Sequence, residues 1–174
     1  MNKKKYISLA KKSADIQINE LKKIKKTFNS SFIKAVDLIL NNKGKIIFAG
    51  IGKSGLIARK ISATFSSVGI PSFFCDPAQA LHGDMGQIEK KDLLIIFSYS
   101  GNTSELKNML RYANRYRIKI IGVASKPESI LLKASDVKIL IPKVKESDVT
   151  GMVPTSSTSI TLLLGDCLAT TVMQ

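Results

Sequence analysis

Residues 46–55 read Ile-Ile-Phe-Ala-Gly-Ile-Gly-Lys-Ser-Gly, an apolar run followed at once by a glycine-rich turn. Residues 93–105 repeat this arrangement as Leu-Leu-Ile-Ile-Phe-Ser-Tyr-Ser-Gly-Asn-Thr-Ser-Glu, with hydroxyl groups in place of most of the glycines. Each pattern predicts a buried strand, a loop and the start of a helix. Because backbone N–H groups and the positive end of the helix dipole face outward at such a junction, both loops are candidates for binding a phosphate.

The rest of the chain alternates in the same way. The hydrophobic pattern predicts strands at 45–49, 72–75, 92–97, 119–124 and 137–141, with helices at 55–68 and 155–172 and after the third and fourth strands. Before them, apolar residues at three- and four-residue spacings predict a helical region over 5–42, broken into two helices at Asn29–Ser31. Apolar strands that alternate with helices predict a three-layer α/β/α fold with a five-stranded parallel sheet, of flavodoxin or Rossmann type, plus N-terminal helices.

The composition restricts the class of protein. The chain has 174 residues, of which 44% are hydrophobic, and this suits one compact domain with a sizeable core. The formal net charge of +14 favours an anionic partner. The charge is mostly lysine and lacks the interleaved aromatics, heptads and zinc spacing of nucleic-acid binders, so no nucleic-acid partner is predicted. Since no apolar run approaches the roughly 20 residues of a membrane span, we expect a cytoplasmic protein without a membrane partner.

The first loop, residues 50–55, also satisfies the Gly-x-Gly-x-x-Gly pattern of dinucleotide-binding folds. Asp76 follows at the distance expected for ribose recognition, so an oxidoreductase is one alternative. A following proline restricts the backbone of Asp76, and the hydroxyls of the second loop suit a phosphate monoester better than a nicotinamide. Another alternative is that the glycines only permit a tight turn. Lys53 favours phosphate binding, because a cation at a helix N-terminus is unfavourable unless an anion is near.

The second loop and a later cluster are rich in hydroxyl groups. Ser98, Ser100 and their neighbours place up to four O–H donors around one position, and Gly101 allows a close approach of the backbone. For Glu105, the acid of this loop, the alternative to a role at the site is an ordinary helix cap, since Asn102 and Glu105 have the spacing of a capping box. Residues 154–158 read Pro-Thr-Ser-Ser-Thr at the head of the last predicted helix, where capping alone needs one hydroxyl.

Two further polar residues are predicted at the same edge of the sheet. Glu146 follows the fifth strand and is a candidate general base, with a solvated loop carboxylate as the alternative. His82 is the only histidine and follows the second strand, where a role at the site and no role are both open. Because ligands of parallel sheets bind at the carboxyl ends of the strands, we expect these side chains near the two loops.

These residues together resemble the sugar isomerase (SIS) domain family, and most closely its arabinose-5-phosphate isomerases of the Kdo pathway. The resemblance covers residues 30–174 and rests on short segments. They are Gly-Lys-Ser-Gly at 52–55, Ala-Thr-Phe at 63–65, Pro-Ser-Phe-Phe at 71–74, His-Gly-Asp-Met-Gly at 82–86, Ser-x-Ser-Gly at 98–101, Lys-Pro-Glu-Ser at 126–129 and Pro-Thr-Ser-Ser-Thr at 154–158. We therefore expect an N-terminal helical segment over 1–43 and an SIS sugar-phosphate-binding domain over 44–174, within one compact domain.

The resemblance implies an isomerase that interconverts D-ribulose 5-phosphate and D-arabinose 5-phosphate through a cis-enediol, for Kdo and lipopolysaccharide precursor synthesis. It implies no cofactor, and a homotetramer with sites near subunit interfaces. In some relatives a histidine linked to metal binding stands at the position of Asp76, so no metal site is expected here. The residues expected to be catalytic are Lys53, Glu105, Glu146 and His82. Those expected to bind substrate or phosphate are Gly52, Ser54, Gly69, Ser98, Ser100, Gly101, Thr103, Thr155, Ser156 and Ser157.

The sequence also departs from this family. The family carries a further catalytic histidine and paired CBS domains after the last SIS helix, and this sequence has none of them. An activity impaired by truncation is therefore one expectation. SIS domains also act as sugar-phosphate sensors, so the alternative function is a regulatory sugar-phosphate-binding module without catalysis.

Overall fold

The predicted strands form one parallel sheet in the structure, a computed structural model that describes residues 3–174. They are β1 (Ile46–Gly50), β2 (Ser72–Cys75), β3 (Leu93–Phe97), β4 (Lys119–Ala124) and β5 (Val137–Leu140). Their order in space is β2-β1-β3-β4-β5, and each neighbouring pair is parallel. Every residue of β1 and β3 is buried, because both faces of a parallel sheet are covered by helices. The predicted fold class is confirmed.

Residues 3–174 contain six α-helices. They are α1 (Lys3–Leu21), α2 (Ser30–Leu40), α3 (Lys53–Ser67), α4 (Leu106–Tyr116), α5 (Ile130–Ala134) and α6 (Ser156–Val172). Side chains of α2, α3 and α6 share one core with Phe48 and Phe97 of the sheet. Side chains of α4 and α5 form a second core on the other face, around Ile47 and Ile96. None of these helices is long and apolar enough to cross a membrane.

The N-terminal region differs in one respect from its prediction. The expected break is present, because the Asn29 side chain accepts a hydrogen bond of 2.9 Å from the Ser31 amide and begins α2. However, α1 ends early, and residues 22–27 form a tighter 3₁₀ helix. Within that turn Ile24 and Thr27 are buried, and the Thr27 hydroxyl donates to the Leu140 carbonyl at 3.3 Å. A tertiary contact therefore overrides the regular helical pattern.

The strand order creates a crevice between the carboxyl ends of β1 and β3. The chain leaves β1 towards β2 on one side and leaves β3 towards β4 on the other, which is the point where ligands bind in open α/β sheets. A Cβ on Gly50 would lie 2.9 Å from the Ser54 carbonyl carbon, and one on Gly55 would lie 2.6 Å from the Gly50 oxygen. These two glycines let α3 begin directly against β1, as the tight-turn interpretation requires.

Candidate functional site

A cavity of about 460 Å³ opens at the carboxyl edge of the sheet, between the loops that follow β1, β3 and β5. Lys53, Ser54, Glu146 and Ser157, all expected at the site, line this one cavity together. The remaining lining residues are Ile51, Tyr99, Val144, Gly151, Met152, Pro154 and Thr158. The structure therefore brings a cation, a carboxylate and four hydroxyl-bearing side chains to one concave surface.

The first turn of α3 presents an uncompensated helix N-terminus to this cavity. Lys53 and Ser54 are its first two residues, no side chain caps it, and no acidic residue lies in its first turn. Gly52 precedes the helix at φ 58°, a left-handed conformation that glycine adopts without strain. The N–H groups and the helix dipole favour an anion here, and the Lys53 ammonium adds to that attraction.

The second loop is organised by hydrogen bonds among its own groups. The Ser98 and Thr103 hydroxyls lie 2.9 Å apart, and the Gly101 amide donates to Ser98 Oγ at 3.1 Å. The amide after Gly101 donates to Ser100 Oγ at 3.2 Å. Gly101 has φ 67°, and a Cβ there would lie 2.3 Å from Ser129 Oγ. The loop thus depends on glycine, and its hydroxyls are held in place before any ligand binds.

Tyr99 is a site residue to which the sequence analysis assigned no role. It lines the cavity, and its Oη accepts a hydrogen bond of 2.8 Å from the Val144 amide. This bond joins the loop after β3 to the loop after β5. In the sequence, the one feature that distinguishes Tyr99 is its position between two hydroxyl-bearing residues of the second loop.

The capping box considered for the second loop does not form. Asn102 Oδ1 accepts a hydrogen bond of 3.0 Å from the Ile130 amide, and α4 begins only at Leu106. Glu105 is exposed, does not line the cavity, and accepts a hydrogen bond of 2.7 Å from the Ser104 hydroxyl. That bond lowers the pKa of Glu105 below its ordinary value. Glu105 therefore lies outside the cavity, at the head of α4.

Glu146 is fixed at the N-terminus of α6. Its Oε2 accepts from the Thr155 amide at 2.8 Å, from the Thr155 hydroxyl at 2.9 Å and from the Ser157 amide at 3.3 Å. Three hydrogen bonds therefore hold one oxygen of this partly buried carboxylate, which argues against the alternative of a freely solvated loop carboxylate. Partial burial raises the pKa of Glu146, but the hydrogen bonds from Ser157 and Thr155 outweigh it, so the pKa lies below the ordinary value. The side chain is ionised at neutral pH.

The polar residues at the head of α6 have separate roles. The Thr155 hydroxyl accepts from the Ser147 amide at 2.9 Å, so its own proton is directed to Glu146. Ser157 lines the cavity, whereas Ser156 is fully buried. Among the described residues, the Ser156 hydroxyl is a buried side-chain oxygen without a hydrogen-bond partner.

Besides Glu105, three residues considered in the sequence analysis lie away from the cavity. His82 is exposed on a short 3₁₀ turn after β2 and does not line it. Gly69 follows the last turn of α3, at the opposite edge of the sheet from Lys53, because the helix carries the chain back across the sheet. Asp76 accepts a hydrogen bond of 2.9 Å from the Ala78 amide and lines a different cavity, which argues against a ribose contact.

Comparison with known proteins defines the class of this fold and site. The SIS domain family matches residues 39–171, and the chain belongs to this family. Arabinose 5-phosphate isomerase KdsD of Francisella tularensis is 41% identical over 172 residues, which are 97% of this chain and 53% of the relative. KdsD of Pseudomonas aeruginosa is 38% identical over 169 residues, which are 97% of this chain and 52% of that relative. The chain thus spans about half the length of these curated relatives.

Solved structures show the same relationship at the level of the fold. An E. coli CFT073 protein in complex with arabinose 5-phosphate superposes with a TM-score of 0.95 at 33% identity, covering 99% of this chain and 92% of that chain. The NanR protein of Vibrio vulnificus, complexed with ManNAc-6P, superposes with a TM-score of 0.80 at 18% identity. It covers 95% of this chain and 62% of that chain, and shares the fold alone.

Proposed function

We propose that this chain interconverts D-ribulose 5-phosphate and D-arabinose 5-phosphate through a cis-enediol, without a cofactor, in the cytoplasm and for Kdo and lipopolysaccharide precursor synthesis. The observation that carries the proposal is the meeting of Lys53 and Glu146 in one cavity beside the head of α3. Aldose–ketose isomerisation needs a base, a group that stabilises the enediolate oxygen and a remote handle. The names of the relatives and the sugar phosphate in the E. coli structure support the pentose phosphate.

The phosphate is the handle in this proposal. It binds against the head of α3 at Gly52 and Ser54, with the Ser98, Ser100 and Thr103 hydroxyls beside it. The uncapped N–H groups of α3 support the first part of this placement, and the adjacency of β1 and β3, which brings their following loops to one edge of the sheet, supports the second. Phosphate binding energy is then available to position the sugar carbons for proton transfer.

Glu146 is the proposed base. It removes the proton from C2 of the aldose and returns it to C1, while a proton moves between the oxygens on C1 and C2, so the ketose forms with all atoms conserved. Its carboxylate is ionised at neutral pH, as a base must be, although the hydrogen bonds from Ser157 and Thr155 that lower its pKa also lower its basicity. Its place in the cavity favours Glu146 over Glu105, which is exposed outside it.

Lys53 and His82 complete the proposed site. The Lys53 ammonium stabilises the negative charge that develops on the enediolate oxygen. His82 assists ring opening or binds a sugar hydroxyl. Because His82 lies outside the cavity of its own subunit, we place this role across an interface of a homotetramer.

The test combines turnover with binding. We expect the chain to convert ribulose 5-phosphate to arabinose 5-phosphate, followed by NMR. Glu146→Gln should lower kcat at least about 100-fold and leave arabinose 5-phosphate binding within about threefold, since the phosphate contacts remain. Glu128→Gln is the matched control, because Glu128 is exposed and pairs with Lys133. Binding without turnover by the unaltered chain would instead favour the regulatory module, and near-normal turnover by Glu146→Gln would exclude Glu146 as the base.

A further inference from the structure

The loop that carries Glu146 lies against α1, which contributes no residue to the cavity. We propose that Ser13, Gln17 and Glu20 of α1 are positioning residues that hold the Glu146 carboxylate at the cavity. Their effect on catalysis rests on the proposed function, whereas their effect on the loop does not.

Hydrogen bonds from α1 reach the residues on both sides of Glu146. The Ser13 hydroxyl donates to Ser147 Oγ at 2.8 Å, and the Lys145 amide donates to Glu20 Oε2 at 3.1 Å. Because Lys145 and Ser147 are the immediate neighbours of Glu146, these two contacts restrain the backbone before and after it. They add to the bond between Val144 and Tyr99, which restrains the same loop closer to β5.

Gln17 connects the same loop to α6. Its Nε2 donates to Ser147 Oγ at 3.4 Å, and its Oε1 accepts from the Ser159 hydroxyl at 3.2 Å. Residues 13, 17 and 20 are spaced by four and three, which places them on one face of a helix. One polar stripe of α1 therefore contacts both elements that hold Glu146.

Two successive hydrogen bonds connect Ser147 to the Glu146 carboxylate. The Ser147 amide donates to Thr155 Oγ1 at 2.9 Å, and the Thr155 hydroxyl donates to Glu146 Oε2 at 2.9 Å. A shift of Ser147 therefore alters the donor on which the orientation of Glu146 depends. Catalysis is sensitive to such shifts, since a displacement of about 1 Å can cost about 100-fold in rate.

The other side chains of α1 make few buried contacts. None of its described residues is fully buried, although Leu21 at its end packs half-buried against the core that contains Phe48. Its mean hydropathy is low, and Tyr6, Ile7 and Ile18 are exposed. The long-range hydrogen bonds of Ser13, Gln17 and Glu20 thus go to the loop around Glu146 and to α6.

The first test removes the polar stripe. In the triple variant Ser13→Ala/Gln17→Ala/Glu20→Ala we expect kcat to fall at least about tenfold with KM within about twofold, because the phosphate loops are untouched. Ser8→Ala, an exposed serine of the same helix, is the matched control. A fall of kcat in proportion to a loss of folded protein by circular dichroism would overturn the proposal.

The second test separates the hydrogen bond of Glu20 from its charge. Glu20→Gln removes the charge and keeps an oxygen that accepts from Lys145, so it should retain most of kcat where Glu20→Ala does not. The acid limb of the kcat profile should lie at higher pH in Glu20→Ala than in Glu20→Gln, because looser hydrogen bonds to Glu146 favour its protonated form. Both variants lose the ion pair of Glu20 with Lys23, and both retain the charged groups that share the cavity or the loop with Glu146, which are Lys53, Lys145 and Asp148. Coincident acid limbs would overturn the proposal.

Hydrogen exchange decides the proposal independently of turnover. The Ser147 and Thr155 amides should exchange faster in the triple variant than in the unaltered chain and in Ser8→Ala. Their acceptors are Thr155 Oγ1 and Glu146 Oε2, whose positions are no longer restrained by α1 in the triple variant. Equal exchange rates in all three proteins would overturn the positioning role. If the unaltered chain has no isomerase activity, the proposed function fails, and the exchange rates still show whether α1 holds the loop.

Discussion

Replacing Gly165 with alanine tests how closely the two helices that carry the site are packed. A Cβ on Gly165 of α6 would lie 2.1 Å from Ile61 Cδ1 of α3, whereas carbon atoms in contact are normally about 3.5–4.0 Å apart. Ile61 is fully buried, and because protein cores are close-packed, its side chain can move only by displacing its neighbours. Such overpacking costs about 1–3 kcal/mol, against about 1 kcal/mol gained when alanine replaces glycine in a helix. We expect a net loss of about 1 kcal/mol in the free energy of unfolding.

Urea unfolding of Gly165→Ala, Ile61→Val and the double variant measures this effect. Ile61→Val alone should cost about 0.5–1.5 kcal/mol, and clearly less in the Gly165→Ala background, because it removes the crowded Cδ1 atom. Lys53 begins α3 and Thr155 precedes α6. If the alanine pushes these two helices apart, the site residues at their N-termini move and kcat should also fall. A Gly165→Ala variant stabilised by about 1 kcal/mol, as at an uncrowded helical glycine, would refute this account of the packing.

Three further predictions concern the site. Glu146→Gln should lower the free energy of unfolding at pH 7, and the difference from the unaltered chain should shrink below about pH 4.3. The lowered pKa of Glu146 stabilises the folded state above the ordinary pKa of glutamate, and this stability is lost as the pH falls through the pKa in the folded state. Urea titrations at several pH values measure the difference, and a difference that stays constant with pH would contradict the prediction. Lys53→Met should lower kcat at least about 100-fold in the NMR assay, and a loss of binding alone would contradict its role at the enediolate. Gly101→Ala should weaken arabinose 5-phosphate binding, measured by calorimetry, at least about tenfold. The new Cβ would clash with Ser129, and alanine is strained at the left-handed φ of this position. Unchanged affinity would show that the second loop does not bind the phosphate.

The sheet and most helices were predictable because their signals are local. The strands β1 and β3 are buried on both faces, so hydropathy alone marks them. Asn29 begins α2 as its sequence context predicts. The 3₁₀ turn at 22–27 was not predictable in this way, because it depends on a hydrogen bond between Thr27 and Leu140, which are 113 positions apart.

The candidate site was predictable in part for a topological reason. Lys53 and Glu146 lie in loops after different strands, and parallel strands bring such loops to one edge. The contact of Tyr99 with Val144 joins two of these loops, and no local spacing encodes it. The contacts of α1 with the Glu146 loop span 125 to 134 positions, so the sequence analysis missed them for the same reason.

The capping box is a case in which local spacing indicates a contact that the structure does not contain. Asn102 and Glu105 have the spacing of a capping box, but the Ile130 amide takes the Asn102 side chain. A capping box requires that side chain for the first turn of its own helix. The tertiary partner therefore leaves Glu105 to bond Ser104 at the surface.

The central claim is that Glu146 transfers a proton between C1 and C2 of a bound pentose phosphate. Its most direct test is the reaction of ribulose 5-phosphate in deuterated water, followed by NMR. The account predicts arabinose 5-phosphate with solvent deuterium at C2, and a rate of incorporation at least about 100-fold lower in Glu146→Gln despite retained binding. Deuterium incorporation by Glu146→Gln at the rate of the unaltered chain would contradict it.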